Sequence, residues 1–136
     1  MIRAYTGNDF RNGRVEDSKL MWVLGNYSRF IRPGAARFAV SAFDNTGKPI
    51  HEGDTDQKGL MCSAYKNVDG TYVVVLINYA NEDKSFSVGK TIGKKAKWRV
   101  YRTSDREGEN LKPIEKVKGG LVSRIPARSV ITLLSE

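Results

Sequence analysis

The chain has a single cysteine, Cys62, and a single histidine, His51, in 136 residues. One thiol excludes an internal disulfide and any multi-cysteine metal site. One imidazole, set in the polar stretch HEGDTDQ, is too little for a multi-histidine centre, and any histidine triad must be built around that ring. No hydrophobic run approaches the roughly 18 residues that a membrane span needs. The N-terminal MIRAY has no apolar core between a basic start and a small-residue cleavage site, so it does not read as a signal peptide. Phosphate loop, GxSxG elbow and dinucleotide fingerprint are all missing.

What is present is an ordinary globular composition, 40% hydrophobic and 28% charged. A chain of this length fits one domain and buries about two thirds of its unfolded surface. The formal charge of +8 raises the question of nucleic acid. Its distribution argues against that partner. Basic residues are spread from Arg3 to Arg128 with acids between them, and the one dense cluster is Lys90, Lys94, Lys95, Lys97 and Arg99. No zinc-finger spacing, RNP aromatic motif or GxxG clamp accompanies it, so solvated surface charge is the expectation. Neither nucleic acid nor membrane is expected as a partner.

Two unequal regions follow from the patterning. In residues 1–34, Asn12-Gly13 signals a hairpin or tight turn. Asp17 or Ser18 suits the cap of a helix starting near Lys19, and Pro33-Gly34 is expected to stop it. That helix carries five consecutive apolar residues, Leu20 to Leu24. Leu20, Leu24, Tyr27 and Ile31 form one stripe, Val23 and Phe30 widen it, and Met21 and Trp22 add further sides. A helix with one buried face does not need so many, so cover on at least two sides is predicted.

From residue 35 to 136 the period changes to that of strands. RFAVSAF, LMCSAYK, TYVVVLINY, KSFSVG, AKWRVYRT, NLKPIEKV, LVSRI and SVITLLS are separated by turn-forming clusters, among them Asp69-Gly70 and Gly119-Gly120 before a last hairpin. DNTGKPIHEGDTDQKG reads as a long polar loop. The spacing predicts a mainly β fold: a two-sheet antiparallel sandwich of about eight strands with one N-terminal helix. Tyr72 to Tyr79 is apolar on both faces and reads as a central strand, with Val74, Leu76 and Trp98 inside.

Candidate chemistry is sparse. Asp54 and Asp56 flank Thr55 but lack the other positions of a calcium loop, and no metal or other cofactor is expected. Glu107 and Glu109 in SDREGEN read as plain surface, and Glu115 as the outer face of a strand, so none makes a convincing catalytic acid or nucleophile. Tyr101, opposite in parity to Trp98, is the single candidate for stacking on a sugar.

The stretch SKLMWVLGNYSRFIRPGAARF, Ser18 to Phe38, resembles the junction in glycoside hydrolase family 30 between the last helix of a (β/α)₈ barrel and a side β-sandwich. YVVVLINYANEDKSFSV, VYRTSDREGENLKPI and IPARSVITLL are similar to later parts of that sandwich, in the same order. Within the family the likeness is greatest to endo-β-1,6-galactanase-like members. The resemblance implies that residues 1–34 are the end of a barrel (a turn and its last helix) and residues 35–136 the side domain. It implies that the retaining-type glutamates lie upstream of this chain, so no residue here inherits a catalytic role. The parent is then a secreted, periplasmic or cell-surface polysaccharide-degrading enzyme. Leu20, Met21, Trp22, Leu24, Tyr27 and Phe30 become the interface between barrel and sandwich.

Two function classes compete on this basis. One is a non-catalytic side domain that stabilises the barrel and extends its sugar-binding surface. The other is an independent module binding carbohydrate or another partner. With its barrel absent, the chain is expected to self-associate through the helix and an unpaired sheet edge.

Overall fold

The computed structural model describes residues 3–6, 13–40, 42–43, 46, 49–50, 60–88, 97–120 and 122–136. A hairpin of β1 (Arg3–Thr6) and β2 (Gly13–Glu16) leads into helix α1 (Lys19–Ser28). Ten strands follow: β3 (Ala36–Phe38), β4 (Ala42–Phe43), β5 (Pro49–Ile50), β6 (Leu60–Lys66), β7 (Tyr72–Asn78), β8 (Lys84–Ser87), β9 (Lys97–Ser104), β10 (Lys112–Lys118), β11 (Val122–Ile125) and β12 (Ser129–Ser135). They exceed the expected eight for two reasons. RFAVSAF breaks into β3 and β4, and Pro49–Ile50, inside the stretch expected to be loop, pairs with β4.

The main sheet has six antiparallel strands in the order β10-β9-β12-β7-β6-β3. β7 and β12 lie at its centre, as the doubly apolar sequence of Tyr72 to Tyr79 requires. Val74 and Leu76 point to one face and Val73 and Val75 to the other, and all four are buried. On the first face Trp98, Val100, Ile131 and Leu133 meet Ile125 of β11 and Phe86 of β8. Trp98 is 1% exposed, as its strand parity predicts. β8 and β11 pair with each other as the second layer, so the fold is an antiparallel sandwich.

One sequence expectation fails on connectivity. Gly119-Gly120 does not open a last hairpin, because β11 pairs with β8 and β12 with β7 and β9. The chain passes from one layer to the other between β10 and β11 and back at Pro126–Arg128. Asn78, 1% exposed at the end of β7, secures the return: its Nδ2 donates to Pro126 O at 2.9 Å and to Glu82 O at 2.9 Å. The hairpin expected around Asn12-Gly13 is present, since β1 pairs with β2 and Thr6 lies opposite Gly13; Asn12 itself lies outside the described residues.

The second face of the main sheet is covered by α1. Phe30 is buried against Val73, Val75, Leu111 and Val130, with Trp22, Val23, Tyr27 and Ile31 around it. Ser18 takes the N-cap position with extended backbone but makes no side-chain cap bond. Asp17 does not cap either; its Oδ2 accepts from Trp22 Nε1 at 2.6 Å and orients that ring. The helix ends at Ser28, ahead of Pro33. Asn67, in the β6–β7 turn, explains the early stop. Its Nδ2 donates to Phe30 O at 2.9 Å and its Oδ1 accepts from Arg32 N at 3.0 Å. These bonds take over backbone groups that a further helical turn would have paired.

Candidate functional site

Helix α1 divides its residues between two environments. Trp22, Val23, Tyr27 and Phe30 follow the three- and four-residue spacing of a helical face and lie on the sheet. Leu20 and Leu24, four apart, point the other way and are 56% and 58% exposed. Met21 is half-buried, and Val15 on the preceding hairpin strand is exposed. The set expected at the interface between barrel and sandwich is thereby divided: Trp22, Tyr27 and Phe30 lie on the sandwich side, Leu20 and Leu24 on the open side.

The helix sits close to the sheet because two features permit it. A Cβ at position 25 would come within 2.9 Å of Leu111 Cδ1, so Gly25 is what allows the approach. Beside it Asn26 is fully buried. Its Nδ2 donates to Thr103 Oγ1 at 2.9 Å and to Trp22 O at 3.0 Å, and its Oδ1 accepts from Thr132 Oγ1 at 3.0 Å. Thr103 Oγ1 also accepts from Leu111 N at 3.0 Å. A buried amide satisfied in this way gives the helix one register on β9 and β12, because sliding it would strand three polar groups. Sequence patterning missed this residue; an amide that interrupts the apolar run between Leu20 and Tyr27 is the signal that marks it.

Tyr101 is not an outward platform. It has the expected parity opposite to Trp98, but that face lies under the helix. Its ring centroid is 4.5 Å from that of Phe30, and the Arg29 guanidinium carbon lies 5.9 Å from it. The tyrosine packs the helix end instead of presenting a free face for a sugar.

Glu109 also departs from its expected place on the surface. It is 6% exposed, with a bidentate pair from Arg102: Nε donates to Oε2 at 2.9 Å and Nη2 to Oε1. Ser104 Oγ donates to the same Oε2 at 2.5 Å. Burial alone would raise the Glu109 carboxyl. The hydrogen bonds from Arg102 and Ser104, with the nearby positive charges of Arg102 and Arg106, outweigh it and hold the group below the usual carboxylate range. A carboxylate kept ionised by a guanidinium is a structural clamp, unlike the raised carboxyl that a general acid needs. Glu107 is exposed in the same loop. The side chain of Glu115, together with His51, Asp54, Asp56, Lys90, Lys94 and Lys95, lies outside the described residues. Lys97 and Arg99 are exposed, and Arg99 pairs with Glu136 at 2.8 Å. Among the described residues no cluster of three His, Cys, Asp or Glu could hold a metal ion.

The sheet edges bear on self-association. β10 carries exposed Lys112, Lys116 and Lys118, a proline at position 113 and a register shift between Ile114 and Val117. β3, the opposite edge, is three residues long. Lysines, proline, bulges and short strands all discourage edge-to-edge pairing. The open helix face, by contrast, exposes Leu20 and Leu24.

Residues 34–133 match the model of the family described as glycosyl hydrolase family 30 beta sandwich domain. Among solved structures the chain is similar to a conserved exported protein from Bacteroides fragilis, at 27% identity over 98% of this chain and 26% of that one, with a TM-score of 0.77. It is also similar to a family 30 endoxylanase from Clostridium papyrosolvens C71, at 22% identity over 87% of this chain and 28% of that one, with a TM-score of 0.66. The catalytic domain of family 30 xylanase C from Talaromyces cellulolyticus matches at 25% identity over 90% and 25% of the two chains, with a TM-score of 0.61. The chain thus spans about a quarter of the length of these proteins. The first match takes in nearly the whole chain and so extends to α1, ahead of residue 34. By this match over most of its length, the chain belongs to the family of glycosyl hydrolase family 30 β-sandwich domains.

Proposed function

We propose that this chain is the non-catalytic sandwich region of a polysaccharide-degrading glycoside hydrolase, and that α1 is the last helix of that enzyme's barrel. The observation that carries the reading is the division of α1. One side is locked into the sandwich by Asn26 and Phe30, and the other leaves Leu20 and Leu24 more than half exposed. Covering two such leucines contributes about 2–3 kcal/mol, enough to help hold a second body in place. The barrel then supplies the catalytic glutamates of a retaining mechanism, and the sandwich stabilises it by covering the helix.

The similarity to an exported Bacteroides protein supports an exported parent. The preference for β-1,6-linked galactan rests on sequence resemblance; one of the similar proteins is an endo-β1,6-glucanase and others are xylanases. An independent carbohydrate-binding module is the weaker reading, because Tyr101, its aromatic candidate, is covered by Phe30 and Arg29. The deciding assay incubates the isolated chain and the full-length parent with β-1,6-galactan, xylan and β-1,6-glucan. The parent is expected to release sugar from one of them and the isolated chain from none. Turnover by the isolated chain, abolished by changing Glu107, Glu109 or Glu115, would refute the assignment.

A further inference from the structure

The connection between β9 and β10 is short, charged and fastened at every turn. Ser104 N donates to Glu109 O at 3.1 Å and Glu109 N to Arg106 O at 3.3 Å, closing the loop on itself. Arg106 N donates to Ser104 Oγ at 3.1 Å, and the Arg102–Glu109 pair lies beneath. Lys19, the first residue of α1, adds a strut from outside: its Nζ donates to Arg106 O at 2.7 Å and to Asn110 Oδ1 at 2.8 Å. What these bonds present is a tip of Asp105, Arg106, Glu107 and Gly108, all exposed. Gly108 has φ +72 and open space where a Cβ would stand, so the chain turns there without touching the body of the protein.

The strut fixes where the tip stands, at the N-terminal end of α1. In a (β/α)₈ barrel every helix begins at the face where the strands end, which is the face that carries the active site. If α1 is the last barrel helix, loop 105–108 therefore stands at the catalytic face. Its side chains differ from those of the face offered to the barrel. Leu20 and Leu24 are apolar, as a buried protein contact prefers, whereas the tip holds two carboxylates, a guanidinium and a glycine. Such groups hydrogen-bond to hydroxyls while remaining wet, and a loop already held in place loses little entropy on binding.

The geometry points to loop 105–108 as a side wall of the substrate cleft, contacting outlying sugar units of a hydroxyl-rich polysaccharide through Asp105, Arg106 and Glu107. This rests on the barrel reading given above. The test uses the full-length enzyme carrying Arg106→Ala and Glu107→Ala together, two exposed tip residues that are not among the hydrogen-bonding side chains of the Arg102–Glu109–Ser104 clamp. KM and kcat are measured on the long polysaccharide and on an aryl glycoside of a single sugar unit, with a thermal melt alongside. Expected is a rise in polymer KM of about three- to tenfold, the size of one or two lost hydrogen bonds, with aryl glycoside kinetics and melting temperature unchanged. An unmoved polymer KM overturns the inference. So does a lowered melting temperature with unmoved KM, which would make the loop a brace for the barrel. A wild-type enzyme inactive on every β-linked polysaccharide sinks the hydrolase reading itself and this inference with it, whereas an active wild type with an unmoved KM sinks this inference alone.

Discussion

Replacing Asn26 with alanine removes the amide that joins α1 to β9 and β12. The side chain is fully buried, and its Nδ2 and Oδ1 make three hydrogen bonds, with Trp22 O, Thr103 Oγ1 and Thr132 Oγ1. The partners are not all stranded. Thr132 Oγ1 keeps Asn26 O at 2.9 Å, and Thr103 Oγ1 keeps Leu111 N at 3.0 Å. At about 1 kcal/mol net for each lost bond, plus a small cavity term, Asn26→Ala is expected to cost about 2–4 kcal/mol. That is a large share of the 5–15 kcal/mol typical of a domain. Urea unfolding of the isolated chain, followed by far-UV circular dichroism and by tryptophan fluorescence, measures it. Trp22 lies in the helix–sheet contact and Trp98 in the opposite core, so emission reports on both layers. Coincident transitions shifted to lower urea are expected. A loss below about 0.5 kcal/mol, the size of a surface change, or a helix that melts separately in the wild type, would refute the view that α1 is a built-in layer.

Three further outcomes follow from the same structure. Trp98→Ala, in a ring 1% exposed between the two layers, is expected to cost about 3–5 kcal/mol by the same urea titration. Glu109 is held below its ordinary value near 4.5, so the unfolded chain takes up its proton first as the solution is acidified. Its stabilisation is complete above that value and lost as pH falls below it, so Glu109→Gln should flatten the acid limb of a stability–pH curve below about pH 4.5. The isolated chain is expected to self-associate through Leu20 and Leu24, and sedimentation should show a lower average mass for Leu20→Lys with Leu24→Lys; an unchanged mass would exclude this face.

Much of the sandwich was legible because strand periodicity is local. Val73 to Leu76 are apolar without a break, which only a strand covered on both sides can satisfy, and β7 is such a strand. Parity placed Trp98 inside and Tyr101 on the other face, but parity does not say what covers a face. Only the tertiary position of α1 puts Phe30 over Tyr101. The same limit hid Asn26, whose hydroxyl partners lie 77 and 106 residues away. Glu109 was misread for a nearer reason. SDREGEN looks like solvent-exposed loop, yet the alternation of β9 brings Arg102 back over it, and the pair is seven residues apart. The sequence does not separate Trp22 from Leu20 and Leu24, because five apolar residues in a row blur the helical stripe; the Asp17 bond to its indole and its place against the sheet do so.

The central claim is that the open face of α1 is covered by the rest of a larger enzyme. Leu20→Lys with Leu24→Lys tests it when introduced into both the isolated chain and the full-length parent, with stability measured in each. In the isolated chain, measured dilute enough to be monomeric, both side chains are more than half exposed, so the change is expected to stay within about 0.5 kcal/mol. In the parent two ammonium groups would be forced into an apolar contact at a cost of several kcal/mol, and the melting temperature should fall by several degrees. A parent that accepts both lysines with its melting temperature unchanged would contradict the account.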